Sequence, residues 1–147
     1  MTRQQRLTLI ATILGSTVVF LDGTIVNVAL PSLGRELDAG LAGQQWVVEA
    51  YMLSMVSLLL VGGSLGDQFG RRRLFVIGLI AFGITSILCA RAPSEEFLIG
   101  ARALQGVAGA LLVPGSLAIV AATFEGEARG KAVGTWTAWT GIATVIG

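Results

Sequence analysis

The amino-acid sequence predicts an all-α membrane protein. Of its 147 residues, 54% are hydrophobic and only 13% are charged, and the mean hydropathy is +0.79, which does not describe a soluble domain of this size. Its apolar residues are grouped in long runs, and a helix needs about 20 such residues to cross a lipid bilayer. Four predicted spans and an incomplete fifth follow one another at about residues 7–30, 46–65, 74–90, 97–123 and 132–147.

The first run follows two arginines, Arg3 and Arg6, and could be read as a secretory signal peptide. It is longer than the about 7–15 residues of a signal-peptide core, and no small-residue cleavage site follows it. We therefore interpret it as a transmembrane helix. Pro31 is expected to close this first span, and Pro93 is expected in the outer turn between the third and fourth spans.

The distribution of charge predicts the orientation of the chain. The chain has ten Lys and Arg residues and nine Asp and Glu residues. The resulting net charge of +1 gives no argument for a nucleic-acid partner. Lys and Arg accumulate in cytoplasmic loops. If the N-terminus is cytoplasmic, that side holds seven of them, whereas the outside holds only Arg35 and Arg91. The seven are Arg3, Arg6, Arg71, Arg72, Arg73, Arg129 and Lys131.

Two charged residues lie well inside the predicted spans, Asp22 in the first and Arg102 in the fourth, whereas Glu49 lies only three residues past Trp46, at the start of the second. A charge at the bilayer centre costs about 2.5–3.5 kcal/mol on insertion scales, so neither is expected to face lipid. At about 1.5 Å per residue, Asp22 lies roughly 12 Å and Arg102 roughly 7–8 Å from the outer end of its span. We predict that they pair across an aqueous cavity. The alternative is that Arg102 extends to the outer interface and Asp22 caps a neighbouring helix.

The fourth span presents a face of polar and small residues. Small residues on a helix face allow a substrate or another helix to approach, and plain helix packing explains the glycines equally well. Pro114, further along, is expected to kink the helix. The residues of this face, at helical spacing, are Arg102, Gln105, Gly106, Gly109 and Val113.

A glycine-rich segment, GGSLGDQFGRRRLF at residues 62–75, joins the second and third spans through a turn of about eight residues. Its glycines allow a tight turn that brings Asp67 close to the three arginines that follow. Membrane anchoring alone would explain the arginines. The order of residues is more specific, because it resembles the signature loop of the major facilitator superfamily. The matching positions are Gly63, Leu65, Asp67, Gly70, Arg71 and Arg72.

Three further segments resemble the same family. LDGTIVNVALP resembles the first-helix motif of its fourteen-helix drug:proton antiporter branch, the EmrB/QacA type, and LIGARALQGVAGA resembles the fourth-helix motif. GTWTAWTGIATVIG resembles the start of the antiporter motif of helix five, and it ends before the expected Gly-Pro. The resemblance covers essentially the whole chain. It implies the first four transmembrane helices and a truncated fifth of a superfamily N-terminal half, so that residues 1–147 are a partial N-terminal domain whose C-terminal remainder is missing.

The resemblance also implies a function: multidrug efflux by a proton-coupled antiporter of the plasma membrane, and hence antibiotic resistance. Substrates would be small lipophilic or cationic compounds, exported by alternating access. Asp22 and Arg102 would couple protons, and the glycine-rich loop with Gly63, Asp67, Gly70, Arg71 and Arg72 would be a conformational latch. Glu49 would meet cationic drugs, although a passive residue at the outer interface is equally consistent. Candidates for the substrate cavity are Asn27, Glu49, Gln105, Gly106 and Gly109.

Several alternatives stay open at this stage. A solute uptake permease has the same fold, and a truncated, non-transporting fragment would have fewer than five complete spans, less than one six-helix half. An intramembrane aspartyl protease is disfavoured, because Asp22 has no second aspartate within a span. The sequence has no His, metal-ligand cluster, nucleotide loop or nucleophile triad, so we expect no enzyme, metal or cofactor. The single cysteine, Cys89, cannot form an internal disulfide.

Overall fold

The computed structural model describes residues 1–146, which contain five α-helices and no strand. This confirms the predicted all-α fold. Four of the helices, α1 to α4, are long and apolar enough to cross a membrane. Residues 132–146 of the predicted fifth span lie within α5, which begins earlier, at Gly126, while residue 147 lies outside the described residues. The helices are α1 (Arg3–Glu36), α2 (Leu41–Phe69), α3 (Arg71–Ala90), α4 (Glu95–Thr123) and α5 (Gly126–Ile146).

Two of the helix starts are capped by side chains. At the start of α1 the Thr2 hydroxyl accepts from the Gln5 N–H at 3.2 Å, and Gln5 Oε1 accepts from the Thr2 N–H at 2.9 Å. At the start of α4 the Ser94 hydroxyl accepts from the Phe97 N–H at 3.3 Å. Glu95 and Glu96 occupy the first turn of α4, where negative charge favours the helix dipole. Local sequence therefore determines where these two helices begin.

The first helix does not end at Pro31, the residue expected to close the first span. Helix α1 continues through Pro31 to Glu36, and the chain turns only afterwards, at Asp38, whose φ is 52°. Pro31 has no N–H to donate to the preceding turn, but it is exposed, so water can satisfy the carbonyl that it leaves without a partner. Helix α1 thus extends six residues beyond the predicted end of the first span at Leu30.

The connection between α2 and α3 is much shorter than the predicted turn of about eight residues. Helix α2 ends at Phe69 and α3 begins at Arg71, so only Gly70 separates them. Gly70 has a φ of 98°, which L-residues with side chains rarely adopt. Glycine at this position lets the two helices follow each other directly. The signature loop is therefore mostly helical, with Asp67 in the last turn of α2.

Helix α4 is the centre of the bundle and packs against all four other helices. Its closest approach is to α2, where a Cβ atom on Gly106 would overlap the Ser54 hydroxyl and the Tyr51 carbonyl. Further along, Gly62 of α2 lies against the carbonyl oxygen of Ala110, and a Cβ there would also clash. Because Pro114 has no N–H, that Ala110 carbonyl lacks its usual partner within α4. Small residues on the two helices make this contact sterically feasible.

A buried polar cluster connects α1, α4 and α5. The Ser16 hydroxyl donates to the Ser116 hydroxyl at 2.7 Å, and the Trp136 indole N–H donates to Ser16 at 3.3 Å. Ser116 in turn donates to the carbonyl of Val113 at 2.8 Å. Both serines are fully buried. Interhelical hydrogen bonds of this kind hold helices together where lipid provides no hydrophobic drive for association.

Candidate functional site

The structure brings Asp22 of α1 and Arg102 of α4 into direct contact. Arg102 Nη1 donates to Asp22 Oδ2 at 2.5 Å, a short charge-assisted hydrogen bond. The Arg102 side chain is 2% exposed and that of Asp22 is 20% exposed. Arg102 therefore does not extend to solvent at the outer interface, as the alternative interpretation required. The carboxylate, in contrast, retains access from one side.

Arg102 has two further contacts, both with α2, that the sequence did not predict. Its Nε donates to the carbonyl of Val47 at 3.1 Å, and its Cζ lies 4.2 Å from the centroid of the Tyr51 ring. The Tyr51 hydroxyl donates to the Val19 carbonyl of α1 at 3.2 Å, which fixes the ring. A cation over an aromatic face is stabilised electrostatically. Helix α2 thus holds the guanidinium independently of Asp22.

Gln105 connects the acid to the base. Its Nε2 donates to Asp22 Oδ1 at 3.0 Å and to the Ser86 hydroxyl of α3 at 2.9 Å. Its Oε1 accepts from Arg102 Nη1 at 2.7 Å and from the Cys89 thiol at 3.5 Å. Gln105 is 1% exposed. Three helices, α1, α3 and α4, therefore meet in one hydrogen-bonded network around the carboxylate.

The network is complete as long as Asp22 is ionised. Within residues 1–146, every buried side-chain nitrogen and oxygen has a hydrogen-bond partner. The pair carries one negative and one positive charge, so neutralising Asp22 would leave the buried Arg102 without a counter-ion. An unpaired buried charge is strongly unfavourable. The described part of the chain contains no group of three or more His, Cys, Asp or Glu side chains that could hold a metal ion.

The other substrate-cavity candidates divide into two groups. Asn27 and Glu49 are exposed and line an open depression of about 400 Å³ between α1 and α2, towards their connection. Gly106 and Gly109 instead pack against α2, Gly109 facing Met55, which fits the alternative of helix packing. Asn27 and Glu49 are not among the hydrogen-bond partners of Asp22. Their role in substrate binding stays a prediction.

The signature-loop residues form an ion pair at the opposite end of the bundle. Arg71 donates to Asp67 Oδ1 through Nε at 2.9 Å and through Nη2 at 2.8 Å. Its Nη1 donates to the Ala118 carbonyl of α4 at 3.2 Å. The contact therefore joins the ends of α2, α3 and α4. Gly63 packs near Pro114, and Arg72 is exposed.

Comparison with known proteins determines the family. Residues 12–147 match the family model described as Major Facilitator Superfamily. The chain belongs to this superfamily. The predicted family is therefore confirmed, and together with the four apolar helices it identifies a multi-pass membrane protein.

Several relatives carry names that refer to drug resistance or transport. The chain is 44% identical over 140 residues to the puromycin resistance protein pur8 of Streptomyces alboniger, covering 95% of the chain and 28% of the relative. It is 45% identical over 148 residues to the multidrug resistance protein Stp of Mycobacterium tuberculosis, covering 100% and 28%. It is 40% identical over 136 residues to a probable actinorhodin transporter of Streptomyces coelicolor, covering 92% and 24%. The chain thus spans about 28% of the length of the first two of these relatives.

Proposed function

We propose that this chain forms part of a proton-coupled exporter of small lipophilic, often cationic compounds in the plasma membrane, with its N-terminus in the cytoplasm. Membership of the superfamily and the names of the relatives support export. The observation that supports the coupling role is the ion pair between the buried Arg102 and the partly exposed Asp22. An ionisable pair inside a membrane segment is costly and is a typical element of proton relays.

Asp22 is the proton carrier in this proposal. Its carboxylate is 20% exposed, so a proton can reach it, whereas Arg102 is held by Val47 and Tyr51 whether or not Asp22 is charged. Arginine keeps its charge at physiological pH. Protonation of Asp22 therefore removes the counter-ion of a fixed cation and destabilises this arrangement of the helices relative to others. The change of conformation follows from that imbalance.

Transport then proceeds by alternating access, in which two halves of the complete transporter rock about the site between them. When the cavity faces outward, substrate leaves and Asp22 takes up a proton from outside. The return to the inward-facing state releases that proton to the cytoplasm. Proton entry thereby drives substrate exit. The ion pair of Asp67 and Arg71 would stabilise one of the two states at the cytoplasmic end.

The proposed substrate region includes the depression lined by Asn27 and Glu49. Glu49 is the acidic residue of this depression, which makes it the candidate for attracting cationic compounds. Gln105, Gly106 and Gly109 lie on the α4 face that also carries Arg102. We assign them to the cavity only if opening of the bundle separates α4 from α2, because the two glycines are covered in the present arrangement.

The test is uphill export by the complete protein in proteoliposomes with an imposed pH gradient, normalised to the amount of protein inserted. Asp22→Asn should abolish export against a substrate gradient while substrate binding persists. Asp38→Asn is the matched control, since Asp38 is exposed and Asn tolerates its positive φ. Normal normalised export by Asp22→Asn would contradict the coupling role. Accumulation in the opposite direction would favour an uptake permease, and export by the complete protein but not by residues 1–147 alone would favour a non-transporting fragment.

A further inference from the structure

Helix α3 contributes two polar side chains to the network around Asp22. Ser86 and Cys89 are three residues apart and lie on the same face of α3. The Ser86 hydroxyl accepts from Gln105 Nε2 at 2.9 Å and donates to the Phe82 carbonyl of its own helix at 2.8 Å. The Cys89 thiol donates to Gln105 Oε1 at 3.5 Å. Neither residue belongs to the segments that indicated the family.

These contacts determine the orientation of the Gln105 amide. An amide side chain has two N–H donors and an oxygen with two lone pairs, and all four positions are occupied here. Rotation of the amide by half a turn would point its NH₂ group at the donors of Arg102 and Cys89. It would also point the amide oxygen at the Asp22 carboxylate. The present orientation is therefore the one that presents an N–H to ionised Asp22.

We propose that Ser86 is a positioning residue that acts through Gln105 to set how readily Asp22 takes up a proton. The inference rests on the proposed coupling role of Asp22. By accepting one N–H of Gln105, the Ser86 hydroxyl keeps the second N–H directed at Asp22 Oδ1. Helix α3, which contributes no charged group to the pair, thus regulates the proton site.

Removal of the Ser86 hydroxyl has a defined consequence. In Ser86→Ala one N–H of Gln105 loses its acceptor, so three hydrogen bonds instead of four hold the amide and its other N–H is directed less firmly at Asp22. The ionised carboxylate then loses part of its hydrogen-bond stabilisation, so Asp22 becomes protonated at a higher pH. The titratable or charged groups facing this site are Arg102 from α4, Tyr51 from α2 and Cys89 from α3. The substitution leaves all three in place.

Helix α3 also offers a matched control. Thr85, the preceding residue, is buried, and its hydroxyl donates only to the carbonyls of Ala81 and Phe82 in its own helix, at 2.8 Å and 3.0 Å. Thr85→Val therefore removes a hydroxyl from the same helix without touching Gln105. Ser86→Thr retains a hydroxyl at the site. Ser86→Val has the same shape as Ser86→Thr but no hydroxyl, and it replaces Ser86→Ala if that variant does not fold.

The experiment is an infrared pH titration of the complete protein in lipid films. The carboxylic acid band of Asp22 is identified as the one that Asp22→Asn removes. Ser86→Ala should raise the pH of half-protonation by about 0.5–1 unit, the effect of roughly one hydrogen bond. Thr85→Val and Ser86→Thr should titrate close to the unsubstituted protein.

Two outcomes would overturn the inference: a midpoint in Ser86→Ala equal to that of Thr85→Val, or a Ser86→Thr midpoint as high as that of Ser86→Val. The titration does not depend on transport. If the midpoints shift as expected but Asp22→Asn exports normally, the proposed coupling fails while the positioning of Asp22 by Ser86 stands. If coupling is demonstrated but the midpoints coincide, only the role of Ser86 fails.

Discussion

The guanidinium of Arg102 lies over the ring of Tyr51, with 4.2 Å between Cζ and the ring centroid. Arg102 comes from α4, Tyr51 from α2 and the carboxylate of Asp22 from α1, so one cation is held by two other helices. The face of the Tyr51 ring stabilises the guanidinium of Arg102 although the ring carries no net charge. This contact stabilises the 2% exposed Arg102 without depending on the charge of Asp22.

Substitution of Tyr51 should separate the contribution of the ring from that of its hydroxyl. Tyr51→Leu should destabilise the protein by about 1–2 kcal/mol, because the cation loses its aromatic partner in a desolvated site. Tyr51→Phe retains the ring and loses only the hydrogen bond to the Val19 carbonyl, so its effect should be smaller. Thermal unfolding in detergent measures both. Equal losses of stability in the two variants would show that the ring face contributes nothing to holding Arg102.

The sequence was sufficient to place Asp22 and Arg102 in one site, because the rise of a helix gives the depth of each residue in its span. It was not sufficient to identify Tyr51, Ser86 or Cys89 as neighbours. Depth along a helix does not determine which faces meet, and these three residues look like ordinary membrane-helix residues in the sequence. Their contacts depend on the mutual rotation of α2, α3 and α4, which packing determines.

The connections between helices also could be predicted only in part from the sequence. The sequence predicted a turn of about eight residues within 62–75, yet it could not show that Gly70 alone separates the helices, because glycines are compatible with a long loop or with a sharp turn. Nor could the sequence show that α1 continues past Pro31, where the first span was expected to close. A proline costs a helix one hydrogen bond, and that cost is small where water reaches the carbonyl left without a partner. The roles of the site residues in coupling and in substrate binding stay predictions.

The ion pair of Asp67 and Arg71 should affect transport more than folding. Asp67→Asn removes the charge that holds Arg71 beside the Ala118 carbonyl, so we expect slower export with membrane abundance within about twofold, since an exposed pair contributes only about 0–1 kcal/mol to stability. Glu127→Gln is the matched control, because it breaks another exposed pair four residues apart, with Lys131. Export rates per inserted protein measure the difference. The latch role would be refuted if both variants exported at the unsubstituted rate.

The orientation of the chain can be tested by cysteine labelling in intact cells. In a Cys89→Ser background, Gln68→Cys should resist an impermeant thiol reagent, because the excess of Lys and Arg predicts that this helix end is cytoplasmic. Ala42→Cys, near the opposite end of the same helix and also exposed, should react readily. Permeabilised cells should label at both positions. Rapid labelling of Gln68→Cys alone in intact cells would mean that the N-terminus is outside.

Glu49 should discriminate between charged and neutral substrates. It lines the depression of about 400 Å³ with Asn27, and it is exposed, so its charge can attract a cation but is partly screened by solvent. An exposed ion pair is worth about 0.2–1 kcal/mol, so Glu49→Gln should lower the apparent affinity for ethidium by at most about fivefold. Export of a neutral lipophilic dye should not change, because its binding does not depend on this charge.

Glu36→Gln is the control for that substitution. Glu36 is exposed at the end of α1 but does not line the depression. Glu36→Gln therefore makes the same change in net charge outside the depression. Concentration dependence of export, measured with both compounds for each variant, separates the effects. A loss specific to ethidium and to Glu49→Gln would support direct attraction of the cation. Equal losses for both variants would indicate a general surface-charge effect, and equal losses for both compounds would indicate that Glu49 acts through structure rather than through its charge.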